Sequence, residues 1–159
     1  SAGSDITAPI SDIGVLHGDR LYKTSTVNPS YLFWSEAYLP HFFAPEDAEI
    51  IREDDGDKIT SLVEFLGILR IFKTNTVQNW YSTAVSDANW YYSAPFSFIG
   101  CHAPYSVSVT PEGIMYLNRD GLYLFNGQGS QLFSDAVTDE IKDISEFYSK
   151  ALSSGKTLQ

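Results

Sequence analysis

Leu117-Asn118-Arg119-Asp120-Gly121-Leu122-Tyr123-Leu124-Phe125-Asn126-Gly127 reads as a strand end, a tight turn, a second strand and a second turn. Asp-Gly is a strong hairpin signal, because glycine accepts positive φ without a Cβ penalty. Ile114 to Leu117 is therefore expected to pair with Gly121 to Phe125, and Asn126-Gly127 to turn the chain into Ser130 to Phe133. Upstream, Tyr105 to Val109 reads as a strand and Pro111-Glu112-Gly113 as a turn. The result is a unit of four short antiparallel strands. A β-branched residue at position 121 would fit poorly, since a left-handed conformation is expected there.

The same rhythm occurs twice before. In the first unit, strands run from Ile13 to Leu16, Arg20 to Thr24, Tyr31 to Ser35 and Ala48 to Ile51, with turns at His17-Gly18-Asp19 and Val27-Asn28-Pro29-Ser30. In the second, they run from Ile59 to Phe65, Ile68 to Lys73, Thr76 to Ser82 and Trp90 to Ser93, with turns at Leu66-Gly67, Thr74-Asn75 and Asp87-Ala88-Asn89. The units begin near residues 13, 59 and 105, a spacing of about 46 residues that suits the blades of an antiparallel β-propeller. The fold class expected is mainly β: about three propeller blades, a partial propeller, with one C-terminal helix. Residues 1–12 read as an extended lead-in, 13–134 as the three β units, 135–152 as the helix and 153–159 as a tail. The helix rests on Val137, Ile141, Ile144, Tyr148 and Leu152, which share one stripe at helical spacing. Thr138 can serve as its N-cap.

Composition narrows the function. Hydrophobic residues make up 43% of the chain and aromatics 14%, enough apolar surface to offset chain entropy. A net charge of -10 opposes contact with nucleic-acid phosphates or an anionic membrane and suits docking on a basic protein surface. No apolar run reaches the ~20 residues of a membrane span. The lone Cys101 excludes an internal disulfide and reads as a small buried hydrophobe.

Five segments in order resemble propeller proteins of tailed-phage particles. These are Gly18-Asp19-Arg20-Leu21-Tyr22 with Leu32-Phe33-Trp34-Ser35-Glu36, Asp54 to Leu62, Leu69 to Val77, Ile99 to Val107, and the hairpin quoted above. The resemblance runs from about Gly14 to Ile144. It implies a structural protein of the tail, tail hub or head-to-tail region, made in the host cytoplasm and carried in the virion. It brings no catalytic residues and no cofactor. Such propellers continue for further blades, and three blades leave raw strand edges. The rest of a longer polypeptide, or another copy or chain, is therefore expected to complete the ring.

Sites with chemistry are few. Asp54-Asp55-Gly56-Asp57 clusters carboxylates without the spacing of a calcium loop, and reads as a solvated turn between units. His17, His41 and His102 are scattered among turns, so no metal site is expected. No nucleophile elbow or phosphate-binding glycine loop occurs. The sharpest binding candidates are Trp80, Tyr81, Trp90, Tyr91 and Tyr92. Tyr and Trp anchor interfaces and stack on sugars, but they also fill the space between sheets. Neighbours in a strand point to opposite faces, so about half of this set is expected at the surface.

The function expected is a phage virion structural protein, not an enzyme, whose partners are other virion proteins or further copies of itself. A carbohydrate- or receptor-binding propeller is the alternative. A propeller glycosidase would need two converging carboxylates, and nothing in the sequence pairs any two.

Overall fold

The computed structural model describes residues 9–52, 55–82 and 89–133. The lead-in before Pro9 and the C-terminal helix expected over 135–152 lie outside the described residues. Within them, twelve strands form three four-stranded antiparallel sheets. Sheet 1 holds β1 (Gly14–His17), β2 (Arg20–Lys23), β3 (Tyr31–Trp34) and β4 (Ala48–Ile50). Sheet 2 holds β5 (Ile59–Phe65), β6 (Ile68–Lys73), β7 (Val77–Tyr81) and β8 (Tyr91–Tyr92). Sheet 3 holds β9 (Ser108–Thr110), β10 (Gly113–Asn118), β11 (Gly121–Phe125) and β12 (Ser130–Leu132). Each is a meander in chain order.

The turns explain why the strands sit where they do. At His17↔Arg20 two residues close the hairpin, and Gly18 takes φ 62° at the first loop position, as a type II′ turn requires. Phe65↔Ile68 is closed by Leu66 and Gly67, both at positive φ (54° and 72°), a type I′ pattern. In the 118–121 hairpin the loop residues are Arg119 and Asp120. Gly121 pairs with Asn118, so its positive φ of 146° falls at the start of the strand and not in the middle of the turn. The strand expected from Tyr105 starts later. Pro104–Ser106 forms a 3-10 turn in which the Ser106 amide and hydroxyl both donate to the Ala103 carbonyl.

Sheet 2 is covered on both faces. Leu69 and Ile71 of β6 point toward sheet 1 and join Tyr22, Leu32, Trp34 and Ile51. Phe72 points the other way and joins Cys101, Ile114, Tyr116 and Phe125. A strand buried on two faces reads as a near-continuous apolar run, and Ile68-Leu69-Arg70-Ile71-Phe72 has one interruption. That interruption, Arg70, lies in the sheet 2–sheet 3 space against the neighbouring rings of Phe96 and Phe125 and donates to the Asn79 side chain. Beside it β5 carries an irregularity between Ile59 and Ser61. The extra residue returns Ile59 to the sheet 1 side, where it packs with Leu62.

The acidic turn is exposed at Asp55 and Gly56, but two of its carboxylates are also tied into the fold. The Lys73 side chain is wholly buried, and its ammonium donates to the Ile51 carbonyl (3.0 Å), the Arg52 carbonyl (3.2 Å) and Asp55 Oδ1 (2.6 Å). Three donors meet three acceptors. Asp57 is buried as well, and its Oδ2 accepts from the Asn75 amide at 2.9 Å. The turn thus ties the end of sheet 1 to the end of β6. On the other side of β6, the Lys73 carbonyl accepts from the Cys101 amide (2.9 Å). Gly100 lies so close that a Cβ there would come within 2.3 Å of that carbonyl oxygen.

Two substitutions test these features. Lys73→Met takes the ammonium from Asp55 and from the Ile51 and Arg52 carbonyls, leaving Asp55 with only the Asp57 amide and the Arg52 guanidinium, and is expected to lower unfolding free energy by about 3 kcal/mol; a change below about 1 kcal/mol in urea unfolding would contradict the role given to the ammonium. Leu66→Asn should act in the opposite direction, raising stability by about 1 kcal/mol, because asparagine tolerates the left-handed conformation better than leucine. A lower melting temperature for that variant would show that the Leu66 contacts outweigh the strain.

Candidate functional site

The register of β7 and β8 sorts the five aromatic candidates. Trp80 pairs with Tyr92 and with Leu69, so these three share the face toward sheet 1. Trp80 is 1% exposed and belongs to the core, which removes it from the candidate surface. Trp90 and Tyr92 are partly buried against the same core. The Trp90 ring meets Trp34 edge-on at 5.4 Å and Trp80 at 6.4 Å, and the Arg20 guanidinium lies 5.1 Å from its centroid. Its ring is therefore engaged on several sides.

Tyr81 and Tyr91 pair across the strands on the opposite face and stack with centroids 5.0 Å apart. Tyr91 is 58% exposed. The Tyr81 hydroxyl accepts from Asn79 Nδ2 at 3.0 Å, and Asn79 in turn accepts from Arg70. The stacked tyrosines are thus held from below by the polar residues between sheets 2 and 3. Of the set read from the sequence, this pair is the part that reaches the surface, chiefly through Tyr91.

A concave site that the sequence reading missed lies at the hairpin ends of sheets 1 and 2. It encloses about 420 Å³ and is lined by His17, Asp19, Arg20, Tyr22, Glu64, Ser82 and Trp90 among others. His17 Nδ1 is 3.3 Å from Glu64 Oε2, linking β1 to β5. Arg20 donates to the Ser35 carbonyl at 2.8 Å. Burial raises the Tyr22 phenol pKa above its ordinary value, while hydrogen bonds from Ser82 and Trp80 oppose the shift. The phenol therefore stays neutral at physiological pH and is no base. The signal was present in Gly18-Asp19-Arg20-Leu21-Tyr22, but its partner Glu64 lies far along the chain.

A second exposed apolar surface surrounds the loop after β3. Leu16, Tyr38, Leu39 and Phe42 are all exposed there. Tyr38 holds φ 60°, with its amide donating to the Asp19 carbonyl at 2.8 Å.

Other candidate chemistry is tied into the fold. Burial pushes the Cys101 thiol pKa up, and its Sγ donates to the Ala103 carbonyl at 3.1 Å. The Tyr116 phenol is pushed up to about 12 by burial; it donates to the Ile99 carbonyl at 2.8 Å and its oxygen can accept from the Ser130 hydroxyl at 2.7 Å. Among the described residues, no three His, Cys, Asp or Glu side chains gather as a metal site, and no helix is long and apolar enough to cross a membrane.

The chain matches no protein-family model and no curated protein.

The split of the aromatic set has a direct test. Trp80→Ala should destabilise the protein by roughly 3 to 5 kcal/mol through the cavity it leaves. Tyr91→Ala should cost less than about 1 kcal/mol, the worth of an exposed stacked pair. Equal losses in thermal or urea unfolding would contradict the separation of core from surface.

Proposed function

We propose that the chain is a β-propeller segment of a structural protein in a tailed-phage particle, acting by protein–protein binding and without a reaction of its own. The observation that carries this reading is where the family-like segments lie. Asp55, Asp57 and Lys73 tie sheet 1 to sheet 2. Gly100 and Cys101 fasten sheet 3 to β6. The Asp120-Gly121 hairpin forms the centre of sheet 3. The residues that resemble the phage proteins are largely spent on joining sheets, as in a scaffold.

The propeller reading is supported by the packing of first strands. β1 lies against β5, and the 104–106 turn that leads into β9 also lies against β5. In a propeller, one edge strand of every blade crowds the axis while the others fan outward. The partners of this reading are other virion proteins or further copies. A charge of -10 favours a basic protein surface over nucleic acid. The carbohydrate-binding alternative is weakened by Trp90, whose ring already carries Arg20.

Quantitative mass spectrometry of washed phage particles tests the assignment. The chain should be present at a fixed ratio to the major virion proteins, and the recombinant chain should give no saturable signal on a glycan array. Absence from washed particles, or a defined glycan ligand, would replace this reading.

A further inference from the structure

Tyr38 stands at a position that the fold itself would fill better with another residue. Glu36 and Leu39 form an isolated bridge, with the Leu39 amide donating to the Glu36 carbonyl at 3.1 Å, and Tyr38 takes φ 60° in the turn between them. A turn residue at positive φ is best served by glycine or asparagine, because a Cβ is strained there. Burial does not offset the strain, since Tyr38 is 83% exposed. The backbone nonetheless holds it in place. Its amide donates to the Asp19 carbonyl at 2.8 Å, the Glu36 amide to the Phe42 carbonyl at 2.9 Å and the Phe42 amide to the Leu39 carbonyl at 3.0 Å. An exposed ring on a strained, hydrogen-bonded turn points to a use for the ring.

The surroundings define what the ring would meet. Leu16, Gly18, Asp19, Tyr38 and Pro40 line a shallow concavity of about 600 Å³. Leu16 is 65% exposed, and Asp19 is its charged neighbour there. Among the described residues, the one ion-pair contact of Asp19 is with Arg20, whose Nε lies 3.9 Å away, beyond hydrogen-bond length. Arg20 is itself committed to the Ser35 carbonyl and the Trp90 ring. The concavity thus combines an apolar wall, an exposed phenol ring and a carboxylate with acceptor capacity to spare.

An arginine side chain matches all three. Its methylene stem lies on apolar surface, and its planar guanidinium stacks on a tyrosine face and donates two parallel N–H bonds to a carboxylate. A lysine ammonium matches the charge but neither the plane nor the paired bonds. A net charge of -10 draws a basic partner toward the molecule as a whole. We propose that this concavity receives an arginine of a partner protein, with apolar residues beside that arginine resting on Leu16 and Pro40. The proposal rests on the reading above that the chain acts by protein–protein binding, and names the chemistry of the partner's anchor. Because the turn is already held in shape, little ordering is needed when the partner arrives.

Nuclear magnetic resonance of the isotope-labelled full chain, titrated with the capped peptide Leu-Arg-Leu, tests this. Saturable shifts are expected at the amides of Gly18, Asp19 and Leu39, with binding that weakens as salt rises. Asp19→Asn and Tyr38→Gly should each weaken the peptide by about fivefold. Tyr38→Gly keeps the amide that donates to Asp19 and removes the strain, so its melting temperature should match or exceed that of the wild type. The capped peptide Leu-Lys-Leu should bind more weakly, and Leu-Glu-Leu should give no saturable shift. Absence of saturable shifts with the arginine peptide would overturn the proposal. So would binding indifferent to both substitutions, or a lysine peptide equal to the arginine peptide. The parent reading is judged separately by the composition of washed particles: a chain missing from them that still binds the arginine peptide keeps this site and loses that reading, and a chain present in them that ignores the peptide does the reverse.

Discussion

A buried ammonium has to be matched proton for proton, and Lys73 is matched by three groups from the stretch that leaves sheet 1. Taking such a charge out of water costs several kcal/mol unless each N–H finds an acceptor. Ile51 and Arg52 offer carbonyls at the end of sheet 1, and Asp55 offers a carboxylate from the turn that follows. None of these acceptors can move without exposing the charge to an apolar core. The path of the chain from the first sheet to the second is fixed by that requirement. The backbone of the same residue serves the third sheet, since its carbonyl receives the Cys101 amide and only glycine fits at position 100 beside it.

The layered core follows from this node. With its last residue held from both sides, β6 presents Leu69 and Ile71 to one neighbour and Phe72 to the other. The tryptophans Trp34, Trp80 and Trp90 gather on the first side and the rings of Phe72, Tyr116, Phe96 and Phe125 on the second. Surface chemistry is what remains: the Tyr81–Tyr91 stack, the cleft around His17 and Glu64, and the apolar surface around Tyr38. The buried phenols and thiol are committed to packing.

Much of the architecture was legible in the sequence because local rules govern it. Gly18, Gly67 and Gly121 mark hairpins whose backbones need positive φ, and the strands between them alternate as a pleated sheet must. The strand expected from Tyr105 begins only at Ser108, because Pro104 starts a 3-10 turn. Long-range features were not legible. The tie between the Asp-Asp-Gly-Asp turn and Lys73 was not legible because the lysine closes β6, beyond the whole of β5. Strand parity correctly separates Trp80 from Tyr81, but it cannot say which faces a neighbouring sheet, so Trp80 was counted among binding residues when it is core. The cleft escaped notice for the same reason, since β1 and β5 supply His17 and Glu64 from different sheets.

If the Lys73 node joins all three sheets into one cooperative body, their central strands must open together. Native-state hydrogen exchange at the amides of Tyr22 on β2, Ile71 on β6 and Tyr116 on β10 measures this directly. The account predicts a single opening free energy for the three, equal to that of global unfolding and falling in step with added denaturant. Exchange of Tyr22 or Tyr116 through an opening that leaves Ile71 protected would contradict it, and would show that the end sheets are appended to the middle one without being locked to it.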